Sequence, residues 1–176
     1  MQKVTIKTER LLLQPLTMQH LSGVIRYGMD ESNAQMMVNL PFRSKEEVAM
    51  YIVDIMRDWD SDTPHQLGFA VMLGDENIGM VDAYFDQPDA IELGWIIDKR
   101  YWGNGYAVEA ARGLITVFRE ALGIRRFFAL CDSENRASVR VMEKLGMHAD
   151  GISGGRFNRR NIGERKEMRY VIDYND

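Results

Sequence analysis

Apolar residues recur along this chain with two periods, near two and near 3.6, and the switches between them divide it into strands and helices. "RLLLQPL", Arg10 to Leu16, predicts a first strand, and Thr17 then caps a helix that gathers Leu21, Val24, Ile25 and Gly28 on one face. Ser44 and Glu47 have the spacing of a capping box ahead of a second helix, whose apolar face is Val48, Tyr51, Ile52, Ile55, Met56 and Trp59. "LGFAVML" and "IGMVDAYF", joined by the turn "GDEN", predict a hairpin from the alternation of Leu67, Phe69, Val71 and Leu73. A further strand covers Ala90 to Ile97. Past a glycine-containing turn, Ala107, Ala110, Ala111, Leu114, Ile115, Phe118, Ala121 and Leu122 trace a helical face that ends at Gly123. "RRFFALCD" predicts the next strand, "NRASVRVMEKLG" the next helix, and "MHADGIS" and "KEMRYVIDY" the last two strands.

The order strand, glycine turn, helix, strand implies a right-handed parallel crossover in the middle of the chain, and the hairpins around it imply antiparallel pairs. The sheet is therefore expected to be mixed, in an α/β or α+β layer arrangement. No repeat, low-complexity tract or Pro/Ser-rich linker offers a place to cut the chain, so residues 1–176 are read as a single domain.

Composition removes several function classes. Lys and Arg number 22 against 26 Asp and Glu, a formal charge of -4, so no global positive field draws nucleic acid or an anionic membrane. "MQKVTIKTER" lacks the apolar stretch of a secretory signal and no segment has bilayer-spanning length, which together predict a cytoplasmic protein. The single Cys131 lies in the apolar run "RRFFALC" and reads as a small buried thiol. His20, His65 and His148 have no paired ligand spacing, so no metal is expected.

Chemistry concentrates in "RYWGNGYAVEAA", Arg100 to Ala111. A strand that turns through glycines into a helix presents bare backbone N–H groups and the positive end of a helix dipole, which suit a phosphate. Tyr106 and Ala107 stand where a triphosphate-binding loop has its lysine and hydroxyl residue, so an ATP γ-phosphate is not the expected anion. By itself the pattern is also compatible with a plain strand-to-helix turn. A dinucleotide-binding oxidoreductase would place such a turn after its first strand, whereas here it follows several.

"ELGWIIDKRYWGNGYAVEAARGLI" and "CDSENRASVRVMEKLGM" resemble the GCN5-related N-acetyltransferases (GNAT), and within them the RimJ/RimL-like branch that acetylates ribosomal-protein N-termini. The resemblance covers Ile91 to Gly151 most strongly. It implies a mostly antiparallel mixed sheet with helices on both faces and a strand–glycine turn–helix cofactor site. It also implies acetyl-CoA as co-substrate, and direct transfer to a primary amine in a ternary complex. The acceptor is left open between a protein N-terminus and a small-molecule amine; an inactive acetyl-CoA sensor of the same fold is the alternative. Relatives in the family often form homodimers.

Carried onto this chain, the resemblance assigns the pyrophosphate to the amides of Trp102, Gly103, Asn104, Gly105, Tyr106 and Ala107. The pantetheine arm is assigned to backbone groups of Trp95, Ile96 and Ile97 and to Asn135, which also reads as a helix N-cap. A Cβ at Gly103 or Gly105 would obstruct either the turn's dihedrals or the phosphate's approach.

An acceptor amine is mostly protonated at neutral pH, so a carboxylate that removes its proton helps deliver the attacking form. Glu92, in the apolar run "AIELGWII", is the candidate base; a strand carboxylate paired with an arginine or solvated at an edge is the competing reading. A backbone N–H near Ile96 is the candidate oxyanion donor. Some relatives carry a tyrosine that protonates the departing thiolate where this chain has Met142, which leaves Ser138 as the candidate acid. Finally, Arg156, Arg159, Arg160, Arg165, Lys166 and Arg169 crowd the last hairpin. They offer a patch for an acidic acceptor or the 3′-phosphate of coenzyme A, although Glu164 and Glu167 dilute it and favour a solvated hairpin face.

Overall fold

The computed structural model describes residues 3–160 and 163–174. One eight-stranded sheet runs through the molecule in the order β1-β2-β3-β4-β5-β6-β8-β7. Its first half is an antiparallel meander of β1 (Ile6–Lys7), β2 (Leu12–Pro15), β3 (Gln66–Leu73), β4 (Glu76–Gln87) and β5 (Ala90–Ile97). β6 (Arg126–Asp132) joins β5 in parallel, and β8 (Arg165–Asp173) and β7 (His148–Arg156) complete the sheet in antiparallel fashion. The expected mixed, mostly antiparallel sheet with one parallel crossover is thus present.

Helices cover both faces. On one lie α1 (Leu21–Gly28), α2 (Glu31–Ala34) and α3 (Lys45–Trp59); on the other lie α4 (Tyr106–Leu122) and α5 (Arg136–Lys144). Double coverage explains a departure from simple alternation: Gln66 through Val71 are all buried, because both faces of β3 meet helices. The apolar faces read from the sequence are the ones that pack, with Val24, Val48, Ile52, Ile55, Trp59, Ala110, Leu114 and Phe118 fully or almost fully buried. α4 departs at its end, where Ala121 and Leu122 are exposed and Gly123 closes the helix at a φ of 67°.

Local chemistry sets the boundaries. Ser44 Oγ accepts from Glu47 N–H at 3.1 Å, as the capping-box spacing predicts. The hairpin turn is tighter than "GDEN", since β4 already begins at Glu76 and Gly74 supplies the positive φ that a two-residue loop needs. α1 is entered through a 3-10 turn, Met18–His20, in which Thr17 N–H donates to His20 Nδ1 at 3.0 Å. Two elements carry no periodic signal and were not expected: β1 is too short, and α2 is a single turn capped by the Asp30 carboxylate.

The feature that positions the site is the β5–β6 pair. Its register holds only for Ala90↔Arg126, Ile91↔Phe127 and Glu92↔Phe128. Beyond Glu92, β5 stays on β4 as far as Ile97 while β6 stays on β8 as far as Asp132, so the sheet splits between them.

Candidate active site

The split exposes backbone. Asp98 N–H donates to Ile78 C=O at 2.8 Å, and hydrogen bonding alternates along an antiparallel ladder. Ile96 and Gly94 therefore bond toward β4, opposite Met80 and Asp82, whereas Trp95 and Ile97 turn their N–H and C=O groups toward the opening that β6 has left. One of these groups is occupied: Ile97 C=O accepts from the Trp102 indole Nε1 at 2.7 Å. The remaining strip of strand amide and carbonyl groups suits a partner that itself carries amides, such as a pantetheine arm.

At the end of β5 the chain makes a 3-10 turn, Lys99–Tyr101, capped by Asp98, whose Oδ1 accepts from Arg100 N–H at 3.0 Å. Arg100 and Arg26 both pair with the Asp98 carboxylate, which is held down to about 2: burial raises it, and the guanidinium hydrogen bonds more than reverse that. Arg100 therefore braces the turn. Gly103 and Gly105 follow, each at a φ of 81°, and Gly105 is the residue from which α4 starts. A Cβ on Gly103 would meet nothing within 4 Å, so its glycine answers to the backbone dihedral alone. The Trp102 amide bonds back to Lys99 C=O at 3.3 Å, while the amides of Gly103 through Ala107 have no partner among the described residues. These free N–H groups, at the positive end of the 17-residue helix α4, fit a pyrophosphate.

Glu92 projects from the face of the sheet that carries α1–α3, opposite Tyr84 on β4. It is half-buried in the middle of the sheet and has neither an ion pair nor a hydrogen bond among the described residues, so neither the arginine-paired nor the edge reading fits. Burial pushes its carboxyl up to about 7, with the Glu167 and Asp86 charges adding and Arg169 and Arg156 opposing.

The neighbouring row on the same face is Gly68–Asp82–Gly94, in register across β3, β4 and β5. The two missing side chains make a slot for Asp82: a Cβ on Gly68 would stand 3.0 Å from Asp82 Oδ1, and one on Gly94 would stand 3.7 Å from Oδ2. Gln66 Nε2 donates to Asp82 Oδ1 and Tyr51 Oη, both at 2.9 Å, and lies 3.2 Å from Tyr84 Oη. Asp82 is buried without a cation, and burial raises it to about 7. Sequence reasoning missed this network, though a lone Asp inside "IGMVDAYF" was its signal.

A family model for the acetyltransferase (GNAT) domain matches residues 10–148. The chain belongs to the GNAT acetyltransferase family. It is similar to YkkB of Bacillus subtilis, 40% identical over 70 residues that make up 40% of this chain and 41% of YkkB. It is also similar to YnaD, an uncharacterized N-acetyltransferase of the same organism, at 29% identity over 150 residues and 84% of each chain. The crystal structure of a GNAT-family acetyltransferase from Bacillus anthracis superposes with a TM-score of 0.82 at 25% identity, over 97% of this chain and 98% of that one. The chain is accordingly an acetyl-CoA-dependent N-acetyltransferase that acts on an amine.

The remaining sequence candidates can be placed around the split strands and the glycine turn. Asn135 caps α5, its Oδ1 accepting from Ser138 N–H at 3.1 Å, and its Nδ2 has no partner among the described residues. Ser138 sits in that first turn, half-buried, while Met142 is fully buried and packs in the core. Cys131 is buried and its thiol is pushed up to about 11, chiefly by burial, as an inert core thiol should be.

The arginine-rich hairpin is the solvated face expected of it only in part: most of β7, Arg160 and Lys166 are exposed, but several of its arginines are tied to other elements. Arg156 is almost wholly buried, pairs with Glu167 at 2.6 Å and donates to Met36 C=O at 3.1 Å. Arg159 reaches Glu47 at 2.7 Å and Asn39 C=O at 3.0 Å, Arg160 pairs with Glu31, and Arg165 pairs at 2.9 Å with Asp132. These cations clamp the hairpin to the α2–α3 segment and to β6. No helix among the described residues is long and apolar enough to cross a membrane, and none of their His, Cys, Asp and Glu side chains cluster as a metal site.

Proposed function

We propose that the acceptor amine approaches over the face of β5 that carries Glu92, and that Glu92 removes its proton as it attacks the acetyl thioester. The observation that carries this reading is an unpaired, half-buried carboxylate located where β5 and β6 part. A base is most useful when its pKa lies near the working pH, and burial brings Glu92 there. The pantetheine arm lies along the free groups of Trp95 and Ile97, with Asn135 Nδ2 from the other side, and the pyrophosphate takes the amides of Gly103 to Ala107. The oxyanion donor is then an amide of Trp95 or Ile97 in place of Ile96, because the Ile96 N–H is directed at Met80. Ser138 is the proton donor to the thiolate, a reading supported by its place in the same turn as Asn135.

The acceptor we assign is a protein α-amine, on the likeness of the motifs to the RimJ/RimL branch. Release of the coenzyme A thiol, measured with a panel of N-terminal peptides, free lysine and polyamines, tests this. Turnover is expected with peptide α-amines and acetylation at their N-termini by mass; turnover with polyamines alone contradicts the assignment.

A further inference from the structure

Glu109 stands in the first turn of α4, the helix whose start is the phosphate seat. An anion there opposes the attraction of the helix dipole for a phosphate, so it needs neutralising. Arg10, which lies far away in sequence and outside every motif read from it, does this. Arg10 Nε donates to Glu109 Oε2 at 2.7 Å, its Nη2 lies 2.6 Å from the same oxygen, and its backbone N–H donates to Oε1 at 2.7 Å. Thr8 Oγ1 donates to Oε1 at 2.6 Å.

The guanidinium does more than pair. Nη1 donates to Asn104 C=O at 3.0 Å, inside the glycine turn, and the group stacks 4.6 Å from the centre of the Tyr106 ring. Apart from the chain neighbours of Gly105, Nη2 is the described atom nearest to where a Cβ would stand there, at 3.7 Å. A guanidinium has five N–H donors, and these contacts engage Nε and one hydrogen on each terminal nitrogen. One hydrogen on Nη1 and one on Nη2 remain, in the plane of a guanidinium tied to the turn at Asn104 C=O, and the side chain is 41% exposed. Planar donors held in place beside bare amides are what a phosphate oxygen accepts from.

We propose that Arg10 is a coenzyme-binding residue, which cancels the Glu109 charge at the start of α4 and donates its remaining N–H groups to a phosphate of coenzyme A. The inference rests on the reading that the coenzyme's phosphates occupy the glycine turn. The competing role is a purely structural tie between the N-terminal segment and α4, and the two differ in what they do to different ligands.

Calorimetry with coenzyme A, dephospho-coenzyme A and phosphate-free pantetheine, on wild type, Arg10→Ala and Arg10→Ala/Glu109→Gln, separates them. Arg10→Ala should weaken coenzyme A about 10- to 100-fold, as loss of a charge-assisted hydrogen bond does, and leave pantetheine unchanged. If dephospho-coenzyme A loses as much, Arg10 serves the pyrophosphate; if it loses little, Arg10 serves the 3′-phosphate. The double variant removes the uncompensated carboxylate, should therefore fold better than Arg10→Ala, and should recover part of the loss but stay below wild type. Wild-type affinity for coenzyme A in the folded double variant, or equal losses for coenzyme A and pantetheine, overturns the proposal. A wild type that binds coenzyme A no better than pantetheine overturns instead the placement of phosphates at the turn.

Discussion

Asp82 and Glu92 show how the same side-chain chemistry takes different roles one strand apart. Both carboxyls are raised to about 7 by burial, but Glu92 is half-buried without a partner among the described residues while Asp82 is enclosed and organises Gln66, Tyr51 and Tyr84. An acid whose folded pKa exceeds its unfolded value binds its proton more tightly when folded, so stability falls as pH rises through that interval. For Asp82 the interval runs from 3.8 to about 7. Asp82→Asn removes this titration, and thermal unfolding should show the variant gaining on wild type from pH 5 to pH 8. The gain is expected to be on the order of a few kcal/mol, at roughly 1.4 kcal/mol per pKa unit. A difference independent of pH would mean that Asp82 does not titrate in that interval.

Among the elements, the last hairpin depends most on distant partners. Asp132 is fully buried, and its pKa is lowered because hydrogen bonds from Arg165, Glu134 N–H and Asn158 outweigh the opposing effect of burial. Arg165→Met leaves this buried carboxylate without its cation and should lower stability in urea unfolding at pH 7. Adding Asp132→Asn should return much of it; no recovery would mean that the loss came from packing. This is also where the sequence was least legible. Interspersed glutamates made the arginines look solvated, because their partners Glu31, Met36, Asn39, Glu47 and Asp132 belong to other elements. The long periodic elements, by contrast, were readable because each buries a continuous face, as Val48, Ile52, Ile55 and Trp59 do on α3. Arg10 was invisible for the arginines' reason: nothing near "TERLLL" announces a glutamate at position 109.

At the scale of the molecule, function follows from a sheet that holds together on both sides of one seam and opens along it. β5 is anchored to β4 and β6 to β8, so each side of the opening is held by a continuous ladder, and α4 begins with its free amides just past the end of β5. The motif likeness made the glycine turn readable, but the seam itself is a matter of register, which side-chain pattern alone does not specify once β5 and β6 diverge. In the proposed mechanism Glu92, at the point of divergence, takes the proton of the attacking amine. The most direct test is the ratio of wild-type to Glu92→Gln turnover from pH 5.5 to pH 9.5, with acetyl-CoA saturating and chemistry rate-limiting. A general base contributes on the order of a hundredfold to ten-thousandfold, so the ratio should be that large near neutral pH and shrink as pH passes the acceptor's own pKa. A ratio that stays flat across the whole range would contradict the assignment of Glu92 as the base.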